Sequence, residues 1–176
     1  MRTQNLKLQV ITISAIIFAL AIFRLLPHLP NVSPVAAMAL FGGAYFADKK
    51  LAFMVPFAAL LLSDLLLGLH NTMIFVYAGF ALTVIIGFMI KDRVSVTNTA
   101  FAVLASSVLF FLLTNFGAWM TSPLYTKTAE GLMQAYAAGI PFFQNSLIGN
   151  LVFAAIIFGG YHLLQKNVAA LKLEKI

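Results

Sequence analysis

The sequence predicts an all-α polytopic membrane protein with six transmembrane helices, and two features predict this fold. Of the 176 residues, 62% are hydrophobic and only 9% are charged. Lys and Arg fall almost entirely between long apolar stretches. Because hydrocarbon offers the backbone no water, each crossing must satisfy its own N–H and C=O groups as a helix, and about 20 apolar residues cover the bilayer. The apolar stretches are therefore predicted to be membrane spans.

Six spans are predicted, at roughly 8–26, 34–47, 51–68, 72–90, 98–120 and 141–164. The second and third are the least distinct, because the second is short and only Asp48, Lys49 and Lys50 divide it from the third. An interpretation with five spans stays open. No linker and no polar segment is large enough to form a separate core, so residues 1–176 are predicted to be one transmembrane helical domain.

The distribution of basic residues predicts the orientation. One side of the predicted bundle carries Arg2, Lys7, Lys49, Lys50, Lys91, Arg93, Lys166, Lys172 and Lys175, which leaves only Arg24 and Lys127 for the other side. This positive-inside bias places both termini in the cytoplasm. The net charge of +6 is explained by this topology and by contact with anionic lipid headgroups, so we expect no nucleic-acid partner.

The first apolar stretch begins with basic residues, as a signal peptide does, but lacks a clear small-x-small cleavage site before Arg24. We therefore expect it to be retained as the first span, in a multi-pass protein of a bacterial plasma (inner) membrane. The chain has no cysteine, which excludes disulfides, thiolate catalysis and Cys-type metal sites. No cofactor and no resident metal is predicted.

The predicted outward loops contain most of the special chemistry. In loop 24–34, Pro27 and Pro30 fix an extended course. The longest connection, 120–140, contains a segment at 128–138 that is predicted to form a short interfacial helix ending before Pro141. That helix would act either as a lid or as a passive interfacial anchor.

Asp64 is the clearest ionisable residue within a predicted span, where a charge costs at least about 2.5 to 3.5 kcal/mol and normally faces a partner or a cavity. It lies about one turn from the outward end of span three, and Arg24 lies at a comparable depth in span one. Two hypotheses follow: Asp64 pairs with Arg24, or Asp64 is a ligand-binding carboxylate.

Amide side chains add a second polar signal. Asn115 and Trp119 are four residues apart and share a helix face with Ser107 and Phe111. Ser146 and Asn150 repeat this spacing in span six, next to Asn145. Such residues are also typical of interhelical hydrogen bonds and of the membrane interface.

Together these groups predict a hollow in the outward half of the bundle, under the outward loops, where aromatic faces stack on a flat ring and polar groups recognise its donors and acceptors. The candidate substrate-binding residues are Arg24, His28, Asn31, Asp64, His70, Asn115, Trp119, Tyr125, Asn145 and Asn150.

Several blocks of the chain resemble an uncharacterised family of bacterial membrane proteins that are usually labelled as transport proteins. These blocks are RLLPHLPNVSP at 24–34, FGGA at 41–44, LSDL at 62–65, NFGAW at 115–119 and IPFFQNS at 140–146. More generally, six short helices with both ends inside, and a first helix with AIIFA at 15–19, resemble the substrate-binding S component of energy-coupling-factor (ECF) transporters.

This second resemblance implies that the protein captures a small, vitamin-like polar or heteroaromatic solute from outside. It also implies a transmembrane coupling subunit, contacted through Ala15 and Ala19, and two ATPase subunits as partners. No Gly-x-x-x-x-Gly-Lys stretch occurs, so any ATP would be hydrolysed by those partners.

Two other transport hypotheses stay open: a stand-alone secondary transporter that uses Asp64, and a metal-ion permease subunit that uses His28, His70 and Asp64. Enzyme activity is not expected, because no Gly-x-Ser-x-Gly elbow occurs and the histidines lie at span ends.

Overall fold

The computed structural model describes residues 2–27 and 29–171, and within them every regular element is helical. The six α-helices of this part are α1 (Arg2–Phe23), α2 (Val35–Tyr45), α3 (Lys49–Leu67), α4 (Met73–Ile90), α5 (Val96–Thr121) and α6 (Ala129–Asn167). Short 3₁₀ turns follow α4 at Lys91–Arg93 and α6 at Ala169–Leu171. The predicted all-α class is confirmed.

Five of these helices are long and apolar enough to cross a membrane, which indicates a helical membrane protein. The exception is α2, whose 11 residues extend only about 16 Å, roughly half of the hydrocarbon thickness. The apolar segment predicted at 34–47 is therefore a helix, but one much shorter than the others.

Contacts between helix termini define two ends of the bundle. Arg24, just after α1, reaches Asp64 near the end of α3, and Asp64 in turn contacts Tyr77 near the start of α4. We call this the Arg24 end. At the opposite end, Lys91 after α4 donates to the carbonyl oxygen of Ala47, just before α3. Both α1 and α3 finish at the Arg24 end. The chain must therefore run back to the opposite end between them, and α2 is the helix that does so.

We call the opposite end the basic end, because the starts of α1, α3 and α5 and the finishes of α4 and α6 meet there. Lys7, Lys49, Lys50, Lys91, Arg93 and Lys166 belong to this end, whereas Arg24 and Lys127 belong to the Arg24 end. Lys172 and Lys175, which the sequence assigned to the basic group, lie outside the described residues.

Helix α2 is the centre of the bundle, and all of its residues are buried. It contacts each of the other five helices, α4 most extensively. The α2–α4 contact is a backbone approach between two glycines: a Cβ on Gly43 would overlap the carbonyl oxygen of Val84, and a Cβ on Gly87 would overlap that of Leu40. Glycine is required at both positions because the helices touch without side chains between them.

The predicted break before Pro141 is absent, and this prediction was wrong. Helix α6 runs through Gly139 and Pro141 as one helix of 39 residues, about 58 Å long. Proline removes one intrahelical hydrogen bond, but α5 holds the helix on both sides of it, because the Phe111 ring packs on Tyr136 and on Phe143. The segment at 128–138 is therefore the first part of α6 and not a separate lid.

Substituting Gly43 with alanine should destabilise the bundle, because the new methyl group meets backbone atoms of α4 that cannot rotate away. We expect a loss of about 1 to 3 kcal/mol in the free energy of unfolding, measured by thermal or denaturant unfolding in detergent. Gly159→Ala is the matched control, since nothing lies within 4 Å of a Cβ there. Equal stability of the two variants would contradict the close α2–α4 contact.

Candidate functional site

A hollow of about 270 Å³ lies between α5, α6 and the α1–α2 loop, towards the Arg24 end. Its wall combines amides, hydroxyls and four phenylalanine rings. The lining residues are Asn31, Ser107, Phe110, Phe111, Thr114, Asn115, Gly139, Phe142, Phe143, Ser146 and Asn150. Such hydroxyls and amides also form hydrogen bonds between membrane helices, so the bonds that each one makes decide which of them are left for a ligand.

Asn115 projects from α5 towards α6. Its Nδ2 donates to the carbonyl oxygen of Phe111 at 2.9 Å, one turn earlier in the same helix. This bond fixes the amide plane and leaves Oδ1 without a donor in the described part of the chain. Gly139 on α6 makes room for the group, because a Cβ at that position would overlap the Asn115 amide.

Asn150 closes the hollow at its inner end. It is 6% exposed, and its Nδ2 donates to Ser107 Oγ at 3.1 Å. This bond crosses from α6 to α5 and is the direct polar link between the two helices at this depth. The Asn150 Oδ1 also lacks a donor among the described residues, so two amide oxygens line the same space.

The α1–α2 loop supplies the remaining wall. Asn145 Nδ2 donates to the Pro30 carbonyl oxygen at 3.3 Å, and Ser146 Oγ donates to that of Asn31 at 3.1 Å. Asn31 has a φ of 62°, a left-handed conformation that asparagine adopts more readily than most residues. Two side chains of α6 thus hold the loop in place, with Asn31 at the edge of the hollow.

Arg24 and Asp64 form a separate polar cluster. Arg24 Nη1 lies 2.5 Å from Asp64 Oδ1 and 2.6 Å from Ser63 Oγ, and Tyr77 donates to Asp64 Oδ2 at 2.9 Å. Asp64 is only 1% exposed and Arg24 15%. The predicted pairing is confirmed, and both carboxylate oxygens of Asp64 are occupied by protein donors.

Trp119 and Tyr125 belong to the α5–α6 turn. Trp119 Nε1 donates to the Thr126 carbonyl oxygen at 2.8 Å, and Lys127 Nζ donates to the carbonyl oxygens of Trp119, Ser122 and Tyr125. These bonds tie the turn to the end of α5. The indole is therefore committed to the turn and does not line the hollow.

His70 is also separate from the hollow, in the exposed α3–α4 turn, where Nδ1 lies 2.8 Å from Thr72 Oγ1. His28 lies outside the described residues. Within the part that the structure describes, no three His, Asp or Glu side chains come together as a metal site. The hypothesis of a metal permease thus gains no support from Asp64 or His70.

Ala15 and Ala19, the predicted partner contacts, are both exposed on α1. Ala19 lines a shallow groove between α1 and α6. Within residues 2–27 and 29–171, this face of α1 is not covered by another helix.

The structure brings together Asn31, Asn115 and Asn150, with Asn145 beside them holding the loop, and separates Arg24, Asp64, His70, Trp119 and Tyr125 from them. The prediction that Asp64 and Trp119 share one hollow with Asn115 was wrong, because a nearer protein partner satisfies each of them. Sequence reasoning missed Phe110, Phe142, Phe143, Thr114 and Gly139 as lining residues. The paired phenylalanines at 110–111 and 142–143 were the sequence feature that could have indicated an aromatic wall.

The fold and this hollow define a helical membrane protein with a small polar and aromatic cavity between two of its helices. The chain belongs to DUF6580, a family of unknown function whose model matches residues 4–171. This agrees with the predicted membership of an uncharacterised family. No curated protein and no solved structure matches the chain, so the likeness to ECF S components stays a prediction.

Removing one partner of the buried ion pair should destabilise the protein. Asp64→Asn leaves the Arg24 guanidinium without its counter-ion, and loss of one partner of a buried pair costs about 3 to 5 kcal/mol. The double variant Arg24→Gln with Asp64→Asn should recover part of this loss, and unfolding of all four proteins gives the coupling energy. Additive single effects would contradict the pairing.

Proposed function

We propose that this protein is a membrane-embedded, solute-binding transport protein, and that the hollow between α5, α6 and the α1–α2 loop is its binding site. The solute would be small and carry a flat ring with polar edges. A cavity of about 270 Å³ is just below the usual range of roughly 300 to 1,000 Å³ for small-molecule sites, which favours a ligand with one or two rings.

The observation that carries the proposal is the pairing of amides with aromatic rings in one hollow. The Oδ1 atoms of Asn115 and Asn150 are acceptors without a donor in the described chain, and such groups favour a ligand with N–H or O–H donors. Phe111 and Phe143 lie 5.0 Å apart between ring centroids and offer apolar faces to a ring.

The orientation follows from the charge distribution. The basic end of the bundle is proposed to be cytoplasmic and the Arg24 end to face outward, by the positive-inside rule. On this proposal α2 completes six crossings of a bacterial plasma membrane, and the hollow receives its solute from outside.

We further propose that the protein acts as the substrate-binding component of an ECF-type importer. The exposed face of α1 with Ala15 and Ala19 supports this, because small residues let another helix approach closely. A coupling subunit and ATPase subunits would then supply the energy.

A stand-alone secondary transporter is the second candidate, and the cluster of Arg24, Asp64 and Tyr77 favours it. A nearly buried carboxylate that contacts a cation and a phenol is a typical element of ion-coupled transport. In proteoliposomes this candidate predicts solute uptake under an ion gradient by the protein alone. The ECF-type proposal predicts binding without uptake until the partner subunits are added.

Replacing Asn115 with leucine should weaken solute binding, since it replaces the acceptor oxygen with a methyl group of similar size. The measurement is mass spectrometry of small molecules that co-purify with gently solubilised protein, followed by titration with the solute identified. We expect binding to fall by at least about tenfold, the effect of roughly one strong hydrogen bond.

Asn167→Leu is the matched control. Asn167 makes the same kind of bond, from Nδ2 to the carbonyl oxygen one turn earlier at 3.1 Å, but at the exposed end of α6. Solute binding should be unchanged in this variant. Equal binding in wild type and in folded Asn115→Leu protein would overturn the assignment of the hollow.

A further inference from the structure

A second opening between α5 and α6 lies near the basic end and has a volume of about 570 Å³. Its depth is apolar, with Val103, Leu151 and Phe158 among the lining side chains. Gly159 lines its mouth, and an added Cβ there would meet nothing within 4 Å. The groove therefore opens sideways from two membrane helices.

Two hydroxyl-bearing side chains in this groove have unused hydrogen-bonding capacity. Tyr45 is 4% exposed and Thr99 is 8% exposed, and both line the groove. Neither hydroxyl makes a hydrogen bond to the described chain. By contrast, Thr83 and Thr114 donate to the carbonyl oxygen one turn earlier in their helices. Both hydroxyl oxygens remain accessible within the groove, so each can donate to a polar group that enters it.

Three basic residues lie at or next to one end of the groove in the sequence. His162 lines it, Arg93 directly precedes the lining residue Val94, and Lys166 lies one turn beyond His162 on α6. In the segments 91–103 and 151–167, which form the two long walls, Asp92 is the single acid in the sequence. The groove thus combines apolar side chains and two hydroxyls with basic residues near one end.

We propose that this groove binds one anionic glycerophospholipid from the adjacent membrane leaflet. An acyl chain would occupy the apolar depth, the glycerol ester carbonyls would accept from the hydroxyls of Tyr45 and Thr99, and the phosphate would lie at Arg93 and Lys166. The occupant is assigned as a lipid because the groove is mostly apolar and lies between two helices that are long and apolar enough to cross a membrane. It is assigned as an anionic lipid because Arg93, His162 and Lys166 are at or next to one end of the groove in the sequence.

The test is native mass spectrometry of the full-length protein in detergent, titrated with phosphatidylglycerol or with phosphatidylethanolamine of the same acyl chains. We expect one phosphatidylglycerol to bind, roughly 5- to 30-fold more tightly than phosphatidylethanolamine, since each of two cations contributes to the headgroup contact. The double variant Arg93→Gln with Lys166→Gln should remove this preference without changing phosphatidylethanolamine binding. Both side chains are exposed, so the fold should not depend on them.

Gly159→Phe should block the groove and abolish binding of both lipids. The control is Gly160→Phe, because Gly160 is equally open but lines the separate groove between α1 and α6. Equal affinity for the two lipids in wild type, or unchanged lipid binding in Gly159→Phe, would overturn the proposal. A change of oligomeric state in Gly159→Phe with lipid binding intact would instead indicate a protein partner.

Discussion

The close approach of α2 and α4 is the constraint on which the rest of the bundle depends. A helix of 11 residues that is buried on every side has no lipid contact of its own, so its position is fixed entirely by its neighbours. Gly43 and Gly87 allow the two backbones to touch, and van der Waals packing at such a contact replaces the hydrophobic driving force that is missing between helices in lipid. The other helices then pack around this pair, and the openings lie along α6, against α5 on one side and α1 on the other.

The polar groups near the Arg24 end form two separate clusters, one around Asp64 and one around the hollow. Arg24, Ser63, Asp64 and Tyr77 satisfy one another, and the charge of Asp64 is neutralised where water is scarce. Asn31, Asn115 and Asn150 keep part of their hydrogen-bonding capacity free. The difference is physical: a buried charge must find its counter-charge, whereas a neutral amide can retain an unused acceptor at modest cost.

The sequence alone predicted the parts of this structure that hydrophobicity and charge determine. The apolar lengths predicted the helical spans, and the cost of a charge in hydrocarbon predicted the Arg24–Asp64 pair. The continuity of α6 through Pro141 was not predictable from local rules, because ring contacts from Phe111 on another helix decide it. Trp119 was misassigned for a similar reason, since a carbonyl oxygen of the following turn competes for its indole N–H.

The hydrogen bond between Asn150 and Ser107 separates two spaces of opposite character along the same pair of helices. Both residues line the hollow on the Arg24 side, while Val103 and Ala154, one turn away on each helix, line the apolar groove on the basic side. The two helices are joined here by a hydrogen bond between side chains of the protein itself. Because both residues are nearly buried, losing the bond would leave polar groups poorly satisfied, and this penalty favours close contact between α5 and α6 at the level that separates the two openings.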